Sequence, residues 1–317
     1  MTEGSIEQVK KYQDMVSRPN VIKAPHMMAL LGYLQNEHSL PKYGWRNDRL
    51  RYHYTDAAGL RGMIENSRLW ATDIRFLNDP SEGSFLPERI LGLMASKVGG
   101  TSKIEQEIIK GVRDALSSPQ WKHTTYCISL SGDGDLLSQW RGYGGFGKGY
   151  AVGFRLGSGL PHPQIANYYD VVYGDEGLEK LASDLLDIFA SSFEQWKDMM
   201  YDEWASTLTV LAKSFKDESY REERESRLVC TLSEEDGIDF SKELPLRFRS
   251  RGSEIVPYVD MSLDLLRDND KPRLPIERIV IGPGVEFDRN HASISAMLRK
   301  NSYEGVEVVP SKIPFRP

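Results

Sequence analysis

Cysteine is scarce in this chain, with Cys127 and Cys230 the two examples in 317 residues, both inside apolar, strand-like runs. That scarcity excludes a disulfide-built scaffold and points to a reduced cytoplasm, as does a start that lacks the basic and apolar regions of a signal peptide. Histidine is nearly as sparse. His26, His38, His123, His162 and His291 stand at no metal-ligand spacing to one another, which argues against a dedicated zinc site. Cys-x-x-Cys, His-Glu-x-x-His, a Walker loop and a Gly-x-Ser-x-Gly elbow are all missing. No apolar run reaches the roughly 18 residues of a membrane-spanning helix, so no membrane partner is expected. Nor is there an excess of positive charge. A formal charge of -6 argues against a general basic surface for nucleic acid, though a local groove can still be positive.

What is present suits a soluble globular protein of one or two domains, with 40% hydrophobic and 27% charged residues. Residues 1–48 read as a helical N-terminal extension, with helices over Ser5 to Arg18 and Ala24 to Glu37. Residues 49–317 read as one α+β domain with a mixed, largely antiparallel sheet core. Its predicted strands are Arg51–Thr55, Arg68–Thr72, Thr124–Leu130, Tyr150–Leu156, Ala166–Tyr173, Glu225–Leu232, Leu246–Arg249, Glu254–Val259, Ile276–Ile281 and Val306–Val309. Helices are expected over Pro87–Val98, Ile104–Leu116, Leu136–Tyr143 and Asn290–Lys300. A helical insertion is expected at about 176–217, with Phe189, Phe193, Trp196 and Trp204 facing a core. Asp79 as N-cap, Pro80 at the first helical position and Glu82 two residues on read as a helix start.

The stretch Leu50 to Asp73 is the most informative. Arg51-Tyr52-His53-Tyr54-Thr55 favours a strand, Thr55-Asp56 supplies capping chemistry, and Leu60, Met63 and Ile64 form an apolar helical stripe. His53 therefore falls where a strand gives way to a helix N-terminus, a place where backbone N–H groups can meet phosphate. A half-buried histidine bonded to backbone is the plainer reading of the same residue.

Two further segments carry candidate chemistry. Within Trp140 to Tyr150, four glycines, Gly144, Gly145, Gly147 and Gly149, lie between a predicted helix and a strand. The segment reads either as a plain turn or as an anion cradle in which backbone amides join Arg141 and Lys148. Tyr143 and Tyr150 are its candidate stacking aromatics. On a strand, Glu223, Glu225 and Arg227 would share one face at about 6.6 Å per two residues, lining a cleft with two carboxylates and a guanidinium. On a helix end, Arg221 with Glu225 and Glu223 with Arg227 would instead be i,i+4 pairs. Arg249, Arg251, Ser311 and Arg316 have no expected role beyond phosphate or carboxylate pairing.

Five blocks, HYT at His53, LNDPSE at Leu77, QWRGYG at Gln139, EERESRLV at Glu222 and the closing SKIPFRP, are similar to a bacterial domain-of-unknown-function family, number 2971. His53-Tyr54-Thr55, Gly62-Met63-Ile64 and Arg68-Leu69 also resemble the first motif of the ADP-ribosyltransferase superfamily, in its diphtheria-toxin-like and poly-ADP-ribose polymerase branch. Phe146-Gly147-Lys148-Gly149 resembles a further motif of that branch. Tyr54 stands where the branch has glycine. The resemblance implies an ADP-ribosyltransferase-like core and NAD as substrate. It further implies that His53 contacts the adenosine-side ribose, the Tyr54 backbone holds the nicotinamide carboxamide, and Thr55 completes the motif. Glu225 would stabilise the departing sugar cation and Glu223 would handle the acceptor.

The expected function is therefore cleavage of the nicotinamide–ribose bond with transfer of ADP-ribose to protein, nucleic acid or water. By analogy the setting would be a bacterial toxin or phage-defence effector with a regulatory or antitoxin partner. Two alternatives stand beside it. One is a metal-dependent nuclease or phosphodiesterase built on Asp79, Glu82, Asp135, Glu223 and Glu225. The other is a non-catalytic nucleotide-sensing module.

Overall fold

Short β-branched and aromatic runs alternate with amphipathic helices along the chain, and the computed structural model arranges them as two sheets and a helical layer. It describes residues 50–77, 85–97, 103–117, 123–155, 167–196, 215–233, 244–261 and 273–314, together with 201, 204, 205, 208 and 213. The two predicted N-terminal helices and the Asn78 to Glu82 helix start lie outside these residues.

A four-stranded sheet has the order β1 (Arg51–Thr55), β4 (Tyr150–Phe154), β11 (Ile276–Ile281) and β12 (Glu307–Pro310). A six-stranded sheet runs β5 (Asn167–Asp170), β8 (Ser226–Ser233), β3 (His123–Leu130), β2 (Leu69–Asp73), β10 (Glu254–Met261) and β9 (Leu246–Arg251). Within both, every pairing is antiparallel except β11 with β12. A small parallel pair joins β6 (Val172–Tyr173) to β7 (Phe215–Lys216). The chain is thus α+β with mixed, mostly antiparallel sheets.

Alternation along the strands decides where the core lies. Val152, Phe154, Ile279 and Ile281 of the smaller sheet meet Tyr126, Ile128, Leu228 and Val259 of the larger in one buried cluster. Helix α1 (Ala57–Asn66) contributes Leu60, Met63 and Ile64, and α6 (Phe287–Lys300) contributes Ile294 and Leu298. Asp56 caps α1 by accepting from the Gly59 amide at 2.8 Å, as its sequence anticipates. The opposite face of the larger sheet is polar where the first is oily, carrying Ser129, Arg227, Thr72 and Trp70.

A second apolar cluster belongs to α2 (Phe85–Lys97), α3 (Lys103–Leu116), α5 (Asp175–Trp196) and the segment after it. Phe189 and Trp204 stack there at 4.1 Å, so these two aromatics are core. Lys213 ties this layer to the polar sheet face: its Nζ donates to Thr125 Oγ1 at 2.5 Å and its carbonyl accepts from Arg227 at 2.9 Å. No helix among the described residues is long and apolar enough to cross a membrane.

Three predicted elements differ. The expected strand Ala166–Tyr173 breaks at Val171, whose amide bonds the Glu225 carbonyl, and its two halves join different sheets. The helical insertion does not run to residue 216, because Phe215-Lys216 is strand. Glu223 ends a 3-10 helix (Glu218–Glu223), Arg224 follows at φ +44°, and Glu225 directly precedes β8. The two glutamates therefore share neither a strand face nor a helix turn. Arg221 pairs with Glu218 instead of Glu225.

Candidate functional site

Beyond their shared core, the two sheets are joined by one backbone bridge among the described residues and then part. Tyr52 exchanges both backbone hydrogen bonds with Ser131, at 2.9 and 2.7 Å, as an isolated bridge between β1 and the end of β3. Its N–H and C=O therefore point away from β4, and the two-residue alternation of an antiparallel pair turns those of Tyr54 the same way. The ladder does not continue to Tyr54. Instead the half-buried imidazole of His53 reaches across, and its Nδ1 lies 3.0 Å from the carbonyl of Ser129. A carbonyl can only accept, so Nδ1 carries the proton and Nε2 is left as an acceptor. Burial lowers the imidazole's pKa and the charge of Arg249 adds to this, against the pull of the Ser129 carbonyl.

Ser129 also lies beside the glutamate segment, since it pairs with Arg227 across β3 and β8 and its side chain helps hold the Glu225 carboxyl down. Glu225 is 4% exposed. Its Oε1 accepts from Arg227 Nε at 2.8 Å, while Oε2 accepts from Arg227 Nη2 at 3.0 Å and Lys216 Nζ at 3.1 Å. Glu223, also buried, takes the same Lys216 ammonium at 2.8 Å. The Glu225 amide donates to the Tyr173 hydroxyl at 2.7 Å, and burial raises that phenol's pKa to about 12. Burial alone would raise the Glu225 carboxyl, yet Arg227, Lys216 and Ser129 together hold it down at about 2. It is ionised throughout the physiological range. Glu223 and Glu225 share no strand face, but their carboxylates converge, because Lys216 draws both to one buried ammonium.

Glu223 and Glu225 are thus brought together at Lys216, and His53 reaches the end of β3 through the Ser129 carbonyl. The glycine-rich group is not joined to them. Tyr52 and Tyr54 face away from His53, into a cluster with Trp140 and, packed against it, Tyr143. The Tyr54 ring meets Trp140 edge-on at 4.8 Å, and its hydroxyl donates to the Asp133 carbonyl and accepts from the Leu136 amide, both at 2.9 Å. Tyr150, the other candidate stacking aromatic, has a buried ring, and its hydroxyl donates to Asn290 Oδ1 at 2.8 Å. Thr55 sits over Gly59, its hydroxyl beside the position a Cβ would take there.

Several amides of the glycine-rich loop are likewise engaged within the fold. The Gly144 amide donates to Gln139, Gly147 to Trp140 and Lys148 to Gly145, so three of its amides close the loop on itself. Gly149 and Gly147 accept in turn from Gly282 and Gly284, stapling the loop to the β11 exit. Arg141 and Lys148 are exposed on it.

Asp135, offered to a metal in one alternative, is otherwise engaged. It accepts from Trp140 Nε1 at 2.8 Å, from the Ser311 hydroxyl, and from the Lys312 amide at 2.6 Å. Asp79 and Glu82 lie outside the described residues. Among the described residues no cluster of three histidine, cysteine or acidic side chains stands close enough to hold a metal ion.

Sequence reasoning missed Ser129, Lys216 and Tyr173. Lys216 is hidden because it ends a run that reads as helix, and Ser129 because a serine in a strand carries no signal of its own. Over residues 139–228, from α4 (Leu137–Gly142) into β8, the chain matches the family described as "Protein of unknown function (DUF2971)". Neither a curated protein nor a solved structure matches it.

Proposed function

We propose that the cleft at His53 binds NAD and that the chain cleaves the nicotinamide–ribose bond, passing ADP-ribose to a macromolecular acceptor or to water. The observation that carries the reading is that His53 bonds the Ser129 carbonyl where the two sheets part, while Arg227, paired with Ser129 across β3 and β8, holds the Glu225 carboxylate. Three distant segments meet there. Neutral His53 offers Nε2 as an acceptor for a ribose hydroxyl, and the outward-turned N–H and C=O of Tyr54 match a carboxamide's one acceptor and one donor edge. In the reaction the C1′–N bond breaks and its electron pair leaves with nicotinamide. Positive charge gathers on the ribose, and an acceptor atom bonds C1′ and releases its proton. Glu225 is the carboxylate assigned to that charge, held ionised and fixed in orientation by Arg227. Glu223 is assigned to the acceptor side, while Arg141, Lys148 and Tyr143, on the separate glycine-rich loop, are assigned no contact with the ligand.

One observation favours a second reading. Both Glu225 oxygens are already bound by cations, so Lys216 and Arg227 balance the two glutamates and little net negative field is left for a sugar cation. That balance suits a nucleotide-sensing module that binds NAD without turnover.

Release of free nicotinamide from NAD by the purified chain, with no metal added, separates the readings. Turnover is expected in the native chain and lost in Glu225→Gln, with NAD binding retained and folding checked by circular dichroism. Binding without release selects the sensor. Full turnover in Glu225→Gln, or activity abolished by EDTA alone, would overturn the transferase assignment.

A further inference from the structure

Three arginines alternate along β9, and their surroundings differ. Arg247 pairs with Asp260 at 3.1 Å, and Arg251 pairs with Glu254 at 2.9 Å while also donating to the Phe76 carbonyl at 2.9 Å. Arg249 has no carboxylate at ion-pair distance among the described residues. Its guanidinium lies across the sheet over two rings, 5.7 Å from the Trp70 centroid and 5.8 Å from that of Tyr258. One Nη2 donates to Thr72 Oγ1 at 2.8 Å. A guanidinium has five N–H donors in a planar fork, so among the described residues most of this fork is uncommitted.

The placement is directional. Thr72 pairs with Cys127 of β3, two residues from Ser129, whose carbonyl holds His53. The Arg249 charge is felt by the His53 imidazole on one side and by Asp56, the cap of α1, on the other. A half-buried cation with a like-charged neighbour in Arg251 is unfavourable by itself, and the two aromatic faces offset only part of that. Such a group is completed by an arriving anion, and the fork of N–H donors matches phosphate oxygens in pairs.

We infer that Arg249 is the phosphate-binding residue of the His53 cleft, and that it receives the diphosphate of the bound nucleotide while Trp70 and Tyr258 hold its guanidinium flat. The inference deepens the nucleotide reading above and rests on it for the identity of the ligand. It does not require turnover.

The test is calorimetric titration of the native chain, Arg249→Met and Arg249→Lys with ADP, adenosine and inorganic pyrophosphate. The native chain should bind ADP and pyrophosphate. Arg249→Met should weaken both by about ten- to a hundredfold, the loss for hydrogen bonds to a charged group, while adenosine changes little. Arg249→Lys should fall between them, because the charge survives and the fork does not. Circular dichroism checks that each variant folds. ADP affinity unchanged in Arg249→Met would overturn the assignment, and so would a native chain that binds neither ADP nor pyrophosphate. Arginine-dependent ADP binding in a protein that releases no nicotinamide would leave this site standing and remove the transferase reading.

Discussion

The imidazole of His53 takes the place of a backbone partner for Ser129, holding the carbonyl that the next rung of the β1–β3 ladder would otherwise use. This substitution parts the two sheets and leaves the Tyr54 edge open. It also sets a pH dependence. The folded imidazole titrates below the 6.5 of an unperturbed histidine, so as pH falls the unfolded chain takes up the proton first. Stability from this group is present above 6.5 and is lost from there down to the lowered folded value, below which the loss levels off. Urea midpoints measured from pH 8 to 5 should fall more steeply in the native chain than in His53→Gln. Equal slopes would refute the burial argument.

Glu225 makes the opposite window. Its carboxyl is depressed to about 2 against an ordinary 4.5, so its contribution is in place above 4.5 and is lost as pH falls toward 2. At neutral pH, Glu225→Gln leaves the buried Arg227 without its charge partner and should destabilise the fold by about 3–5 kcal/mol. Arg227→Met should do the same in reverse. The double variant should be less destabilised than the two losses added, since removing both partners leaves no orphaned charge between them. Additive losses in chemical denaturation would mean that the pair is not coupled.

Periodicity was enough to place β1, α1 and most later strands, because each of those patterns is local: alternation for strands, a Leu60–Met63–Ile64 stripe and an Asp cap for the helix. What escaped depends on partners distant in sequence. Glu223 and Glu225 converge on Lys216, not on a shared strand face. Val171 interrupts an apolar run because the Glu225 carbonyl claims its amide. Tyr150 is an aromatic in a motif by sequence, but its register opposite Thr55 and its bond to Asn290 turn it into the core.

The glycine-rich loop predicts a packing phenotype. A Cβ on Gly282 would lie 2.5 Å from the Gly147 carbonyl, and one on Gly149 would lie 2.5 Å from that of Thr55. Both neighbours are backbone and cannot swing aside. Gly282→Ala and Gly149→Ala should each lower stability by about 1–3 kcal/mol, read as a fall in melting temperature. Gly92→Ala is the control. Nothing lies within 4 Å of its Cβ position and it sits inside a helix, so alanine there should be neutral or stabilising.

Asp135 gives the closing segment of the chain a role that its sequence alone does not disclose. One carboxylate joins the buried Trp140 indole to the Ser311 hydroxyl and the Lys312 amide, while the Ser311 hydroxyl also accepts from the Ile313 amide at 3.1 Å. The indole and Ile313 belong to the cluster behind β1, so the anchor braces the strand that carries His53 from its far face. Asp135→Ala would leave the indole N–H unpaired in an apolar setting, a loss of about 1–3 kcal/mol, and would free residues 311–313. Carboxypeptidase digestion should then reach beyond Ser311 in the variant and stop short of it in the native chain. A metal-binding Asp135 would behave otherwise. Adding a divalent cation would protect the native carboxy terminus, whereas the hydrogen-bonded anchor predicts the same digestion pattern with the cation and with EDTA.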